Sequence, residues 1–184
     1  MRAGVSVRRG WIWLVAFAAV VAALAALLSW GGGPRTGPLP LAPAFTLPDL
    51  AGQPTALPAG DVALRFGSVN CTICDPDWDT LARWQAAPGA PRILAVEVGE
   101  PAAVVAVRLR APSYPVPVLI DATGAVAQRY GVRSLPSFAF IDRAGRLVAV
   151  QGVETRTGIW GEATWQHYVG LLAQADLAVA GGPR

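Results

Sequence analysis

Two residues of this chain can exchange electrons with a partner. They are Cys71 and Cys74, separated by Thr72 and Ile73, and the sequence has no other cysteine. Two thiols at this spacing can close into a disulfide and open again, with the thiolate as the attacking species. An apolar run from Val62 to Val69 leads into the pair, and the stretch from Asp75 to Gln85 reads as a helix. A strand that delivers a dithiol to the mouth of a helix places sulfur near unpaired backbone N–H groups and the positive end of the helix dipole. Both favour the thiolate.

Other uses of a Cys-x-x-Cys pair need partners that are scarce in this sequence. A structural zinc site takes about four ligands, and two thiols with the single imidazole of His167 would still need a carboxylate. Covalent haem attachment requires His after the second cysteine, where this chain has Asp75. A purely structural disulfide remains open in an exported domain. It would close a very short loop, however, and so restrict the unfolded chain little. The residues favour redox use, with no metal and no cofactor called for.

The elements that must carry the pair alternate. Phe45–Leu47 reads as a short strand and Pro48–Gly52 as a turn. Strands are expected at Val62–Val69, Ile93–Val98 and Val116–Ile120, the last broken by Pro117. Helices are expected at Asp75–Ala87, ended by Pro88-Gly89, at Pro101–Arg110 with proline in the first turn, and at Gly124–Tyr130 as a short helix or turn. Ser137–Asp142 and Arg146–Gln151 flank Arg143-Ala144-Gly145 as a hairpin, and Glu162–Ala178 forms a last helix packed through Trp165, with Trp160 beside it. Strands alternating with helices imply an α/β fold with helices on both faces of a sheet.

The N-terminal part has another character. Residues 1–10 carry Arg2, Arg8 and Arg9, and the stretch from Trp11 to Trp30 has no charge. A helix of that length rises roughly 30 Å, the thickness of a bilayer's hydrocarbon core. Tryptophans mark its ends and arginines precede it, which predicts a transmembrane anchor at 11–30 with the N-terminus in the cytoplasm. A cleaved signal peptide is the rival reading, though the run is long and lacks a clean small-x-small site. Residues 31–43 are a Gly/Pro linker, 44–178 the folded domain and 179–184 a tail.

Charge points away from nucleic acid. Four of the 15 basic residues, Arg2, Arg8, Arg9 and Arg35, precede residue 44, leaving 11 arginines against 12 acids in the rest of the chain. The domain carries no basic footprint.

Residues 44–178 resemble the thioredoxin-like superfamily, most closely the membrane-anchored TlpA/ResA branch of extracytoplasmic thiol–disulfide oxidoreductases. Pro43–Gly52 is similar to that branch's opening hairpin, Phe66–Cys74 to its active-site segment, Tyr130–Ser137 to its proline loop and Phe140–Leu147 to its closing hairpin. The resemblance implies a central mixed sheet flanked by helices. It implies that Cys71 is the nucleophile, that Cys74 resolves the mixed disulfide and that the two form the redox disulfide. It also implies a cis bond at Pro136 that leaves the Leu135 backbone free to pair with a substrate strand. Asp77 stands where the branch often has Glu and is the candidate proton acceptor near Cys74; its other reading is a first-turn acid that supports the helix dipole.

The segment departs from the pattern at several points. Asn70 replaces the Trp usual before the first cysteine, Thr72-Ile73 replaces a pair that usually contains proline, and Arg65 stands where cytoplasmic thioredoxins bury an acid. Asp75, Asp77 and Asp79 gather negative charge beside the pair. Such charge raises a thiol pKa and predicts a reducing couple.

These readings lead to a single-pass protein of the cytoplasmic membrane whose domain lies on the periplasmic or extracytoplasmic side. It would act as a protein disulfide reductase in cytochrome c maturation or on metal-site cysteines. Its partners would be proteins bearing cysteines or disulfides, a membrane-embedded thiol reductant and the inner membrane, with no nucleic acid. The alternative from another class is a non-catalytic thioredoxin-like adaptor or copper metallochaperone.

Overall fold

Five strands form the sheet that carries the dithiol. The computed structural model describes Phe17, Val20 and residues 39–74, 78–109, 114–152 and 161–180. The expected anchor at 11–30 therefore lies almost entirely outside the described residues, among which no helix is long and apolar enough to cross a membrane. The elements, in chain order, are strands β1 (Thr46–Pro48), β2 (Pro54–Ala56) and β3 (Val62–Gly67), helix α1 (Trp78–Ala86), β4 (Arg92–Val98), α2 (Ala102–Leu109), β5 (Val118–Asp121), α3 (Ala125–Arg129), β6 (Ser137–Ile141), β7 (Leu147–Gly152) and α4 (Glu162–Ala180).

The strand order is β5-β4-β3-β6-β7. β3 runs parallel to β4, and β4 parallel to β5, while β6 and β7 pair antiparallel. The sheet is thus mixed. β3 lies at its centre with every residue buried, as a near-continuous apolar run requires when both faces are covered. Alternation divides its side chains. Val62, Leu64 and Phe66 join Phe45, Leu47, Val126 and Tyr130 on one face. Ala63 joins Leu81 and Trp84 of α1, Val105 of α2, and Trp165 and Leu172 of α4 on the other. Trp165 stacks on Trp84 with ring centroids 4.5 Å apart and planes 1° from parallel, and Trp84 Nε1 donates to Glu162 Oε2 at 2.7 Å. That contact pins the last helix to the one after the cysteines.

Differences from the sequence reading have local causes. β3 ends at Gly67 rather than Val69, because residues 68–74 turn back on themselves. β5 starts at Val118 because Pro117 has no N–H, although its carbonyl still accepts Ala95 N at 2.9 Å. β2 was not anticipated. It pairs with β1 as Thr46↔Ala56 and Leu47↔Thr55, a two-stranded sheet with one buried side chain, Leu47, and so little hydrophobic pattern to read. The closing hairpin turns where expected: Asp142 Oδ1 accepts Ala144 N and Arg146 N, and Gly145 takes the positive φ of 76°.

Candidate active site

The parallel strands β3 and β4 both end at the edge of the sheet that bears the cysteines. After Gly67 the chain turns: Cys71 N donates to Ser68 O at 3.1 Å, Asn70 N to Ser68 Oγ at 3.3 Å and Cys74 N to Cys71 O at 3.0 Å. The turn brings the sulfurs into a disulfide with S–S 2.06 Å and Cα–Cα 5.2 Å. The two cysteines are unequal. Cys71 is half-buried, whereas Cys74 is 3% exposed. Cys71 thus presents the more exposed sulfur of the two, and Cys74 the sheltered one.

The loop after α3 faces this turn. The Leu135–Pro136 bond is cis, Pro136 is buried, and Ser137 Oγ donates to Ser134 O at 2.5 Å. Cys71 Sγ lies 3.9 Å from Leu135 O. Two positions far apart in sequence, each expected at the site, therefore meet there. A groove of about 660 Å³ lies beside Leu135, lined among others by Val98, Ala127, Gln128, Val132 and Leu135 itself. Ile73, 61% exposed, adds an apolar surface next to the sulfurs.

Beneath the dithiol lies an arrangement the sequence reading did not foresee. The Arg65 and Glu97 side chains are only 4% and 2% exposed and form an ion pair at 3.1 Å. Strand register explains the meeting: Arg65 faces Ala95 and Gly67 faces Glu97, so the two charges are diagonal neighbours on one face of the sheet. A second guanidinium nitrogen, Arg65 Nη2, donates to the carbonyl oxygen of Cys74 itself. Burial pushes the Glu97 carboxyl above its ordinary range, against the opposing pull of Arg65. Gly67 is part of the same design. A Cβ there would lie 2.8 Å from Arg65 Cζ, so a larger residue would displace the guanidinium. The available signal was one charge of each sign inside two otherwise apolar strand runs, which in a buried sheet must find each other.

Asn70 takes the position just before Cys71, and its Nδ2 donates to Glu100 Oε1. This ties the cysteine turn to the loop after β4. Asp79 is exposed on α1, while Asp75 and Asp77, including the candidate proton acceptor, lie outside the described residues. His167 is exposed on α4 with its ring against Tyr168, and Trp160 lies outside the described residues.

Residues 40–150 match the AhpC/TSA family, the greater part of the chain. The chain belongs to the AhpC/TSA family. Among curated proteins none matches this AhpC/TSA member. Solved structures do. The exposed lipoprotein thioredoxin Etrx1 of Streptococcus pneumoniae is 27% identical, with TM-score 0.56 over 70% of this chain and 98% of that one. A secreted Mycobacterium tuberculosis disulfide oxidoreductase is 21% identical, with TM-score 0.53 over 71% and 95%. MTB dsbF is 18% identical, with TM-score 0.56 over 75% and 99%. The fold of this AhpC/TSA protein is accordingly thioredoxin-like, with the Cys71–Cys74 disulfide at the edge of its sheet.

Proposed function

We propose that this protein is a reductase of protein disulfides, of the TlpA/ResA type, anchored by residues 11–30 and working on the extracytoplasmic side of the cytoplasmic membrane. The observation that carries the reading is the contact between Cys71 and the carbonyl of Leu135. An extended substrate segment pairing with the Leu135 backbone would present its sulfur to Cys71, and the groove beside Leu135 offers room for its side chains. The uncharged run between Trp11 and Trp30 supports the anchor. The likeness to an exposed lipoprotein thioredoxin supports the compartment. Asp75, Asp77 and Asp79 support a reducing poise.

The chemistry balances within the pair. The Cys71 thiolate attacks one sulfur of a substrate disulfide, forming a mixed disulfide and releasing the other substrate sulfur as a thiolate, which takes up a proton. The Cys74 thiolate then attacks Cys71 Sγ, closing the protein disulfide and releasing the second substrate thiol. Two electrons pass to the substrate, and a membrane-embedded dithiol restores the pair. Asp77 accepts the proton of Cys74 in this scheme. The substrate classes are disulfides between apocytochrome cysteines that are to receive haem and disulfides between cysteines of metal sites. Reduction of insulin disulfides by the wild type and not by Cys71→Ser is the expected result; equal activity in both would overturn the reading.

A further inference from the structure

We propose that Arg65 is a positioning residue for the dithiol: its buried guanidinium, held by Glu97 and bound to the Cys74 carbonyl, supplies positive charge beneath the pair and stabilises the reduced, thiolate-bearing form. The inference rests on the reading of Cys71–Cys74 as a redox couple.

Three observations carry it. The first is placement. Arg65 sits on the central strand, six residues before Cys71, and reaches the backbone of the inner cysteine directly. The second is orientation. The ion pair is neutral as a whole, but the contact made with the cysteine turn belongs to the guanidinium, while Glu97 lies behind it on β4. The positive end of the pair thus meets the cysteine turn at the Cys74 carbonyl, and at this burial its field is weakly screened. The third is the room made for it. The absence of a side chain at Gly67 leaves the space the guanidinium fills.

A buried cation near a thiol favours the thiolate, and stabilising the thiolate stabilises the dithiol relative to the disulfide. In charge, Arg65 opposes the acids that follow the pair in sequence, Asp75, Asp77 and Asp79, and so favours a usable thiolate fraction. Glu97 limits the effect by neutralising part of the charge. The two residues of one ion pair are thereby assigned opposite influences on the same equilibrium, which a merely structural pair would not exert.

The test is the equilibrium of the full chain, in mild detergent, with glutathione: protein disulfide plus two glutathione thiols giving protein dithiol plus glutathione disulfide. Glu97→Gln removes this carboxylate's charge from beside the guanidinium and is expected to shift the equilibrium toward dithiol by about threefold or more. Arg65→Met is expected to shift it toward disulfide by a similar factor. Removing one member of a buried pair can unfold a protein, so Arg65→Met/Glu97→Leu, which removes both charges, is measured as well and is expected to shift in the same direction as Arg65→Met. A tenfold change corresponds to about 30 mV for this two-electron couple. Shifts of one sign in Glu97→Gln and the double variant, or equilibria within about twofold of wild type, would overturn the assignment while leaving the redox reading intact. A wild-type pair that does not equilibrate with glutathione would overturn the redox reading itself, and this inference with it.

Discussion

Cys71 Sγ and the carbonyl oxygen of Leu135 lie 3.9 Å apart although 64 residues separate them in the chain. β3 and β6 make the meeting possible. They pair antiparallel at the centre of the sheet, with Phe66 opposite Ser137, so the segment leaving β3 and the segment entering β6 share one edge. The cysteine turn and the proline loop are thus fixed against each other by the most buried strands of the molecule.

The side chain of Leu135 belongs to the groove beside this contact and packs partly on the core. Truncating it by Leu135→Ala should weaken docking of protein substrates and leave attack on small disulfides unchanged. The expected outcome is a rise in KM for a protein disulfide of about fivefold, the equivalent of roughly 1 kcal/mol. Rates with an aromatic small-molecule disulfide should stay at the wild-type level. Steady-state kinetics with the two substrates make the comparison.

The stacked Trp84 and Trp165 join α1 to α4 across the face of the sheet that bears Phe138 and Phe140. Trp165→Ala should cost about 3–5 kcal/mol, the usual range for removing a large buried aromatic side chain. Urea denaturation followed by circular dichroism measures the loss.

Tyr130 lies at the end of α3, against Phe45 and Phe66, and its hydroxyl donates to Pro43 O at 2.9 Å. Burial pushes its pKa up to about 12. The folded protein therefore holds this proton where the unfolded chain, with a tyrosine near 10, has lost it. The stability from this group is complete below pH 10 and falls as the pH rises from 10 toward 12. Ultraviolet titration of the folded protein should show one phenol ionising near 12. Tyr130→Phe should remove that step and cost about 1 kcal/mol for the lost hydrogen bond.

Much of this was legible in the residues. The apolar runs of β3, β4 and β6 have a single burial logic, and hydrophobic pattern reads it directly. Trp165 announced the packing of the last helix. The site's two halves were legible in different ways: Cys71 and Cys74 are the only two cysteines, whereas Pro136, one of 16 prolines, stood out only through the resemblance of Tyr130–Ser137 to the family's proline loop. The link between Arg65 and Glu97 was not, since it depends on the register of two parallel strands. A shift of β4 by one residue would turn Glu97 to the other face, and no local pattern fixes that register in advance. The short β2 escaped for the opposite reason: with no buried alternation it offers no pattern to follow.

In the proposed reaction Cys71 attacks and Cys74 resolves, at a site that takes protein substrates. Trapping of the mixed disulfide reads both roles. The Cys74→Ser chain, expressed at its natural membrane, should accumulate as mixed disulfides through Cys71 with extracytoplasmic proteins bearing paired cysteines. These adducts should disappear on reduction and be absent from Cys71→Ser. Adducts formed equally well through Cys74 in Cys71→Ser, or none in Cys74→Ser while the wild type still cycles between dithiol and disulfide, would contradict it.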